Sequence, residues 1–146
     1  MWRYETTVRW DSGKEGKLNS GGKHEISVAT PPEFGGPHNI WSPEDLVAGA
    51  VASCVMTSSL FFLEKAGIEP HSYLSKAEAV MEKTSAGLAF TGIQVDVSVS
   101  VEAEDEIEKA YNAIEKAEKS CPVSKSLACE VSLKIKVDCL ANCRES

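Results

Sequence analysis

Trp41-Ser42-Pro43-Glu44-Asp45-Leu46-Val47-Ala48-Gly49-Ala50-Val51-Ala52-Ser53-Cys54-Val55-Met56-Thr57-Ser58-Ser59-Leu60-Phe61-Phe62-Leu63-Glu64-Lys65-Ala66-Gly67 decides the fold of this chain. Ser42 is a natural N-cap and Pro43 suits the first helical position. Asp45 completes a capping box of the form Ser-x-x-Asp. Gly67 is a natural stop after Ala66. The spacing predicts a helix over 43–66, about 36 Å long at about 1.5 Å per residue. It is apolar nearly all round, so other elements must wrap it. Leu46 to Leu63 is long enough to consider as a membrane span. Glu44, Asp45, Glu64 and Lys65 at its ends, and the amphipathic elements around it, favour a buried central helix instead. One chain of 146 residues would struggle to enclose such a helix, so a second subunit is expected to help.

Upstream, 1–30 reads as an antiparallel meander. Tyr4 to Trp10 is rich in aromatic and β-branched residues. Asp11-Ser12-Gly13 and Ser20-Gly21-Gly22 are turn chemistry. Gly16 to Asn19 and His24 to Val28 supply two more short strands. Thr30 to His38, broken by prolines and glycines, is a loop leading to the helix. Downstream, Tyr73 to Met81 and Leu88 to Val101 alternate as strands joined through Thr84-Ser85-Ala86-Gly87. In the second, Ile93, Val95, Val97, Val99 and Val101 share one face. Glu104 to Lys119 carries Ile107, Ala110, Tyr111, Ile114 and Ala117 at helical spacing, with interleaved Glu and Lys as a solvated face. After Cys121 a short helix runs through Ser126 and Ala128, and Val131 to Val137 is the last strand. Residues 138–146 read as a flexible tail. The order of elements makes the class α+β in a single domain.

Composition narrows the function. With 42% hydrophobic and 25% charged residues, the chain reads as a soluble globular domain burying roughly 70% of its extended surface. A net charge of −7 and the lack of a basic cluster argue against nucleic acid. Met1-Trp2-Arg3-Tyr4 leads into polar sequence with no apolar leader, so a cytoplasmic location and no membrane association are expected. No Gly-x-Gly-x-x-Gly, Gly-Lys-Ser/Thr or nucleophile elbow is present, which removes nucleotide, flavin and serine-hydrolase readings. Five cysteines fit poorly with a secreted disulfide framework. Cys129, Cys139 and Cys143 lack the partners of a zinc site, and no metal is expected.

The remaining thiols carry the chemistry. A thiol acts as a nucleophile only as thiolate. Cys54, among Ala, Val, Met and Phe, would be pushed toward the neutral form unless a cation lies near, and Lys14 and Arg9 are the candidates. Glu44 could orient that cation, although it lies about 15 Å from Cys54 along the helix. Cys121, in Cys121-Pro122-Val123-Ser124, sits at the start of a short helix whose free N–H groups favour a thiolate. For both thiols, plain packing is the competing reading.

Five stretches, in order and spacing, are similar to the OsmC/Ohr family of thiol-dependent peroxidases. They are Gly13-Lys14-Glu15-Gly16, Pro32-Glu33-Phe34-Gly35-Gly36, Trp41 to Leu46, Ala50-Val51-Ala52-Ser53-Cys54 and Cys121-Pro122-Val123-Ser124. The resemblance implies antiparallel sheets wrapped around the long helix in an intertwined homodimer. It implies reduction of organic hydroperoxides or hydrogen peroxide, with Cys54 as the peroxidatic thiol and Cys121 as the resolving thiol. Glu44 matches the acidic residue that holds an activating arginine. The arginine of the organic-hydroperoxide branch is replaced here by Lys14, leaving Lys14 or Arg9 to act. Apolar residues near Cys54, such as Met56 or Phe61, would suit an organic peroxide. No prosthetic group is implied, only an external dithiol or lipoyl-type reductant. With thiols too weakly activated to turn over, the same scaffold would be a small-molecule-binding or redox-sensing module.

Overall fold

The computed structural model describes residues 1–140. They form two compact units, one from Met1 to Val47 and one from Ala48 onward. In the first, β1 (Thr7–Ser12), β2 (Glu15–Asn19) and β3 (Ile26–Ala29) make an antiparallel sheet in that order. The first strand starts at Thr7, later than Tyr4, and extends through an irregularity between Trp10 and Ser12. The loop that follows forms a short 3₁₀ turn over Pro32–Phe34. It closes with Gly36 N–H donating to Pro31 O at 3.1 Å. Gly36 is required there, because a Cβ would lie 1.5 Å from Thr30 O. Ala29 N–H then donates to Trp41 O at 2.9 Å, handing the chain to the helix start.

The helix α1 (Pro43–Lys65) forms between the signals that predicted it. Ser42 N–H donates to Asp45 Oδ2 and Asp45 N–H to Ser42 Oγ, both at 3.0 Å, a reciprocal capping box. At the other end Gly67 takes a left-handed φ of 75°. Ile68 N–H turns back to Leu63 O at 2.9 Å, and both side chains are buried. α1 is long and apolar enough to cross a membrane. The expectation of a helix buried all round is met within one chain along one seam only: Val51, Val55, Ser59 and Leu63. Leu60 and Phe61 stay exposed, because one unit has too few elements to cover every side of a uniformly apolar helix.

In the second unit, β4 (Ser72–Thr84), β5 (Gly87–Val101) and β6 (Glu130–Cys139) form a sheet in the order β4-β5-β6. The two-residue connection between Thr84 and Gly87 makes a hairpin. Its Thr84 Oγ1 accepts from Ala86 N–H at 3.1 Å and donates to Gly87 O at 2.7 Å. The central strand buries Ile93, Val95, Val97, Val99 and Val101, none more than 2% exposed, and turns Gln94, Asp96 and Ser98 outward. Each such buried side chain contributes roughly 1.5–3 kcal/mol.

The sheets are not antiparallel throughout. β6 runs parallel to β5, from Gly92 opposite Glu130 to Val101 opposite Cys139. The chain leaves β5, passes through a 3₁₀ turn (Glu104–Glu106), α2 (Ile107–Ser120) and α3 (Pro122–Lys125), and returns in the same direction. A crossover containing a helix of that length is what parallel pairing requires. α2 packs on β6 through the small buried face of Ala110, Ala113, Ile114 and Ala117. α3 ends at Lys125, short of Ala128, and its Ser126 hydroxyl folds back to Pro122 O at 2.7 Å. Asp138 and Cys139, expected in the tail, are the last positions of β6. Cys139 is fully buried, because the β5 ladder continues far enough to hold it. The rest of the tail, residues 141–146 with Cys143, lies outside the described residues.

Candidate functional site

The second unit brings Cys54 and Cys121 side by side. α1 carries Cys54 on the flank of its buried seam, where the thiol is half-buried. Cys121, at the junction of α2 and α3, is 0% exposed. Neither is in a disulfide. Cys121 is the N-cap of α3, and its sulfur accepts from Ser124 N–H at 3.5 Å and from Ser124 Oγ at 3.3 Å.

These surroundings push the two thiols apart in acidity. Burial raises Cys54, and the hydrogen-bonding and negative charge of Cys121 raise it further. The Val123 N–H and the Ser58 hydroxyl pull the other way without winning. Burial also opposes ionisation of Cys121, but there the donors prevail. The Cys54 thiol, the Ser124 hydroxyl and the N–H groups of Ser124 and Val123 hold Cys121 below the ordinary thiol range. Within one chain, Cys121 is therefore the sulfur that ionises first.

Two of these donors escaped the reading of the sequence. Ser58 lies one turn beyond Cys54, a spacing that puts them on one helix face. Ser124 stands three residues after an N-cap position, where a side chain and N–H both point back. Either could have been found by asking which polar groups a buried thiol would reach locally.

The other candidates belong to the first unit. Lys14 lies in the β1–β2 turn, and its Nζ donates to Phe34 O at 3.0 Å, pinning the 3₁₀ loop. Arg9, on exposed β1, pairs with Asp11 and with Glu25, each at 3.7 Å. Glu44, in the first turn of α1, has a buried Oε2 with no hydrogen-bond partner among the described residues. A buried carboxylate oxygen without a partner is costly. Of the residues proposed to line a peroxide pocket, Met56 is half-buried and Phe61 is 51% exposed.

Nearby in the core, Ser59 Oγ and Tyr73 Oη are both buried without a partner in hydrogen-bonding geometry among the described residues. The Tyr73 phenol lies beside the hydroxyls of Ser59 and Ser75, and burial pushes its pKa up. Among the described residues no cluster of His, Cys, Asp or Glu could hold a metal ion.

A family model described as OsmC-like protein matches residues 36–136. The peroxiredoxin OsmC of Escherichia coli is 34% identical over 92 residues, 63% of this chain and 64% of that protein. The match thus spans just under two thirds of its length. The uncharacterized protein YmaD of Bacillus subtilis is 25% identical over 112 residues, 75% of each. Among solved structures, an OsmC-like protein of Vibrio cholerae superposes with a TM-score of 0.83 at 19% identity, covering 92% of this chain and 99% of that one. An organic hydroperoxide resistance protein of Elizabethkingia anophelis superposes with a TM-score of 0.74 at 22% identity, covering 94% and 96%. These two likenesses establish the fold.

Proposed function

The chain belongs to the OsmC-like protein family, and from that premise we propose that it is a thiol-dependent peroxidase acting through Cys54 and Cys121. One observation carries this reading: two free thiols lie together, one half-buried and one fully buried. A peroxide reaches only Cys54, so Cys54 is the peroxidatic residue and Cys121 the resolving one. The names of the relatives, a peroxiredoxin and a hydroperoxide resistance protein, support the same class of reaction.

In the first step the Cys54 thiolate attacks one oxygen of ROOH. The O–O bond breaks, ROH leaves with a proton, and Cys54 becomes a sulfenic acid. Cys121, kept toward the thiolate by Ser124, Val123 and Cys54, then attacks the Cys54 sulfur. Water departs and a Cys54–Cys121 disulfide forms. An external dithiol or lipoyl-type reductant restores both thiols by exchange. No prosthetic group takes part.

Cys54 is raised rather than lowered within one chain, so its activation calls for a cation. Lys14 is the better candidate, since Arg9 already pairs with two carboxylates, and the unpartnered oxygen of Glu44 is suited to hold it. An ammonium acts as a point charge and lacks the fork of a guanidinium. The exposed side of α1 fits an intertwined homodimer, and free thiols fit a cytoplasmic protein.

The test is peroxide consumption by the reduced protein and a dithiol, with tert-butyl hydroperoxide beside hydrogen peroxide. Turnover lost in Cys54→Ser, and a trapped Cys54 sulfenic acid in Cys121→Ser, is the expected result. A wild-type protein with intact thiols and no turnover would sink the peroxidase reading. One observation favours a second reading, a redox-sensing or small-molecule-binding module: Lys14 already donates to Phe34 O. Stoichiometric oxidation to the disulfide without turnover would select it.

A further inference from the structure

Where α1 ends against α2, the second unit holds an open cavity of about 360 Å³ lined by Phe62, Lys65, Ala66, Lys109, Asn112, Ala113 and Lys116. Lys109, Asn112, Ala113 and Lys116 recur at helical spacing, so they share one side of α2. The exposed lysines at 109 and 116 gather on the side of α2 that faces the end of α1. Among the described residues, no carboxylate lies within 4.0 Å of any of the three ammonium groups. This is in a chain of net charge −7, where pairing would be easy. Lys65 rests over the Phe61 ring instead, 4.9 Å from its centroid. The Asn112 amide makes no side-chain hydrogen bond within the described chain.

The plainest alternative role for these lysines is to offset the negative pole of α1. That pole amounts to about half an elementary charge, and its carbonyls already accept from Ala66, Gly67 and Ile68 N–H groups. Three full positive charges exceed what it needs. Glu64, Glu108 and Glu115 flank the cavity in sequence, but all are exposed and none lines it. Phe62, Ala66 and the buried Ala113 supply its apolar lining. The volume falls at the lower end of the range for small-ligand sites.

We propose that this cavity binds a small organic anion: a phosphate or carboxylate head held by Lys65, Lys109, Lys116 and the Asn112 amide, with an apolar body against Phe62 and Ala113. The site is separate from the thiols, since Lys65 follows Cys54 by about 16 Å along α1. It stands whether or not the peroxidase reading does.

The experiment titrates the full-length protein with phenyl phosphate, benzoate and inorganic phosphate, reading the Asn112 side-chain amide by NMR. Phenyl phosphate or benzoate should move that signal saturably, at least about tenfold more tightly than inorganic phosphate. Tighter phenyl phosphate would assign phosphate monoesters, and tighter benzoate would assign carboxylates. The exposed double variant Lys109→Gln/Lys116→Gln should weaken binding roughly tenfold or more, added salt should weaken it too, and Cys54→Ser should leave it unchanged. No saturable shift below about 10 mM, binding undiminished in the double variant, or inorganic phosphate binding as tightly as both aryl probes would overturn the assignment.

Discussion

Ser124 aims two donors at one sulfur: its N–H lies 3.5 Å and its hydroxyl 3.3 Å from Cys121 Sγ. Cys121 therefore sits in a buried pocket that prefers its charged form. Ser124→Ala removes the hydroxyl and keeps the N–H, so the Cys121 pKa should rise without loss of fold. The thiolate absorbance difference between Ser124→Ala and Ser124→Ala/Cys121→Ser, followed against pH, measures it. A titration unchanged from that of the Ser124 protein would remove the hydroxyl from the account.

Cys54 should behave in the opposite sense. In Lys14→Gln, with the proposed activating cation gone, its alkylation rate, resolved by peptide mass spectrometry, should climb with pH through a midpoint above the ordinary thiol value of 9.0. In Cys121→Ser that midpoint should fall, because the neighbouring thiolate that raises it is gone. Linkage gives each thiol a sign. The raised Cys54 contributes stability that is whole below 9.0 and is lost as pH rises through its folded pKa. The depressed Cys121 contributes stability present above 9.0 and lost as pH falls through its folded pKa. A lower midpoint for Cys54 than for a free thiol in the wild-type protein would show that a cation reaches it.

Ser59 occupies a position in the α1 seam that an apolar side chain could hold, since its hydroxyl is buried without a partner in hydrogen-bonding geometry among the described residues. Ser59→Ala should be neutral or stabilising by up to about 1 kcal/mol in urea unfolding. Leu63→Ala, at the same seam and 0% exposed, should cost about 2–5 kcal/mol. A large loss in Ser59→Ala would mean that the hydroxyl has a partner, the neighbouring Tyr73 phenol or a buried water.

Two glycines should respond very differently to alanine. At Gly36 a Cβ would fall 1.5 Å from Thr30 O, so Gly36→Ala must displace the loop that carries Phe34 and should cost about 3 kcal/mol or more. At Gly67 there is open space but a left-handed φ of 75°, and Gly67→Ala should cost about 1–2 kcal/mol. Equal midpoints for the two variants would contradict the loop geometry.

The exposed side of α1 yields a test of assembly. Leu60 is 38% exposed on one chain, a poor arrangement for an apolar helix left in water. Leu60→Glu should convert the proposed homodimer to a monomer in sedimentation equilibrium while preserving the far-ultraviolet circular dichroism. A wild-type protein that sediments as a monomer at micromolar concentration would dispose of the dimer.

Residue order carries what short-range physics controls. Ser42, Asp45 and Gly67 set the ends of α1, because caps act across three or four residues. The alternation from Ile93 to Val101 marked the buried face of β5, because side chains alternate across any strand. The family motifs were equally readable, including Cys54 and Cys121. The parallel return of β6 was written more faintly, in a strand followed by a helix and another strand, and only the ladder reaching Cys139 revealed its length. The tertiary structure alone decided which groups meet. Cys54 and Cys121 are 67 residues apart, and their meeting depends on how α1 and the α2–α3 corner pack within the second unit. No local interaction encodes that. Which thiol ionises first is likewise a contest between desolvation and donors drawn from separate elements, as is the gathering of Lys65, Lys109 and Lys116 around one cavity. Such outcomes depend on distances through space, which residue order does not contain.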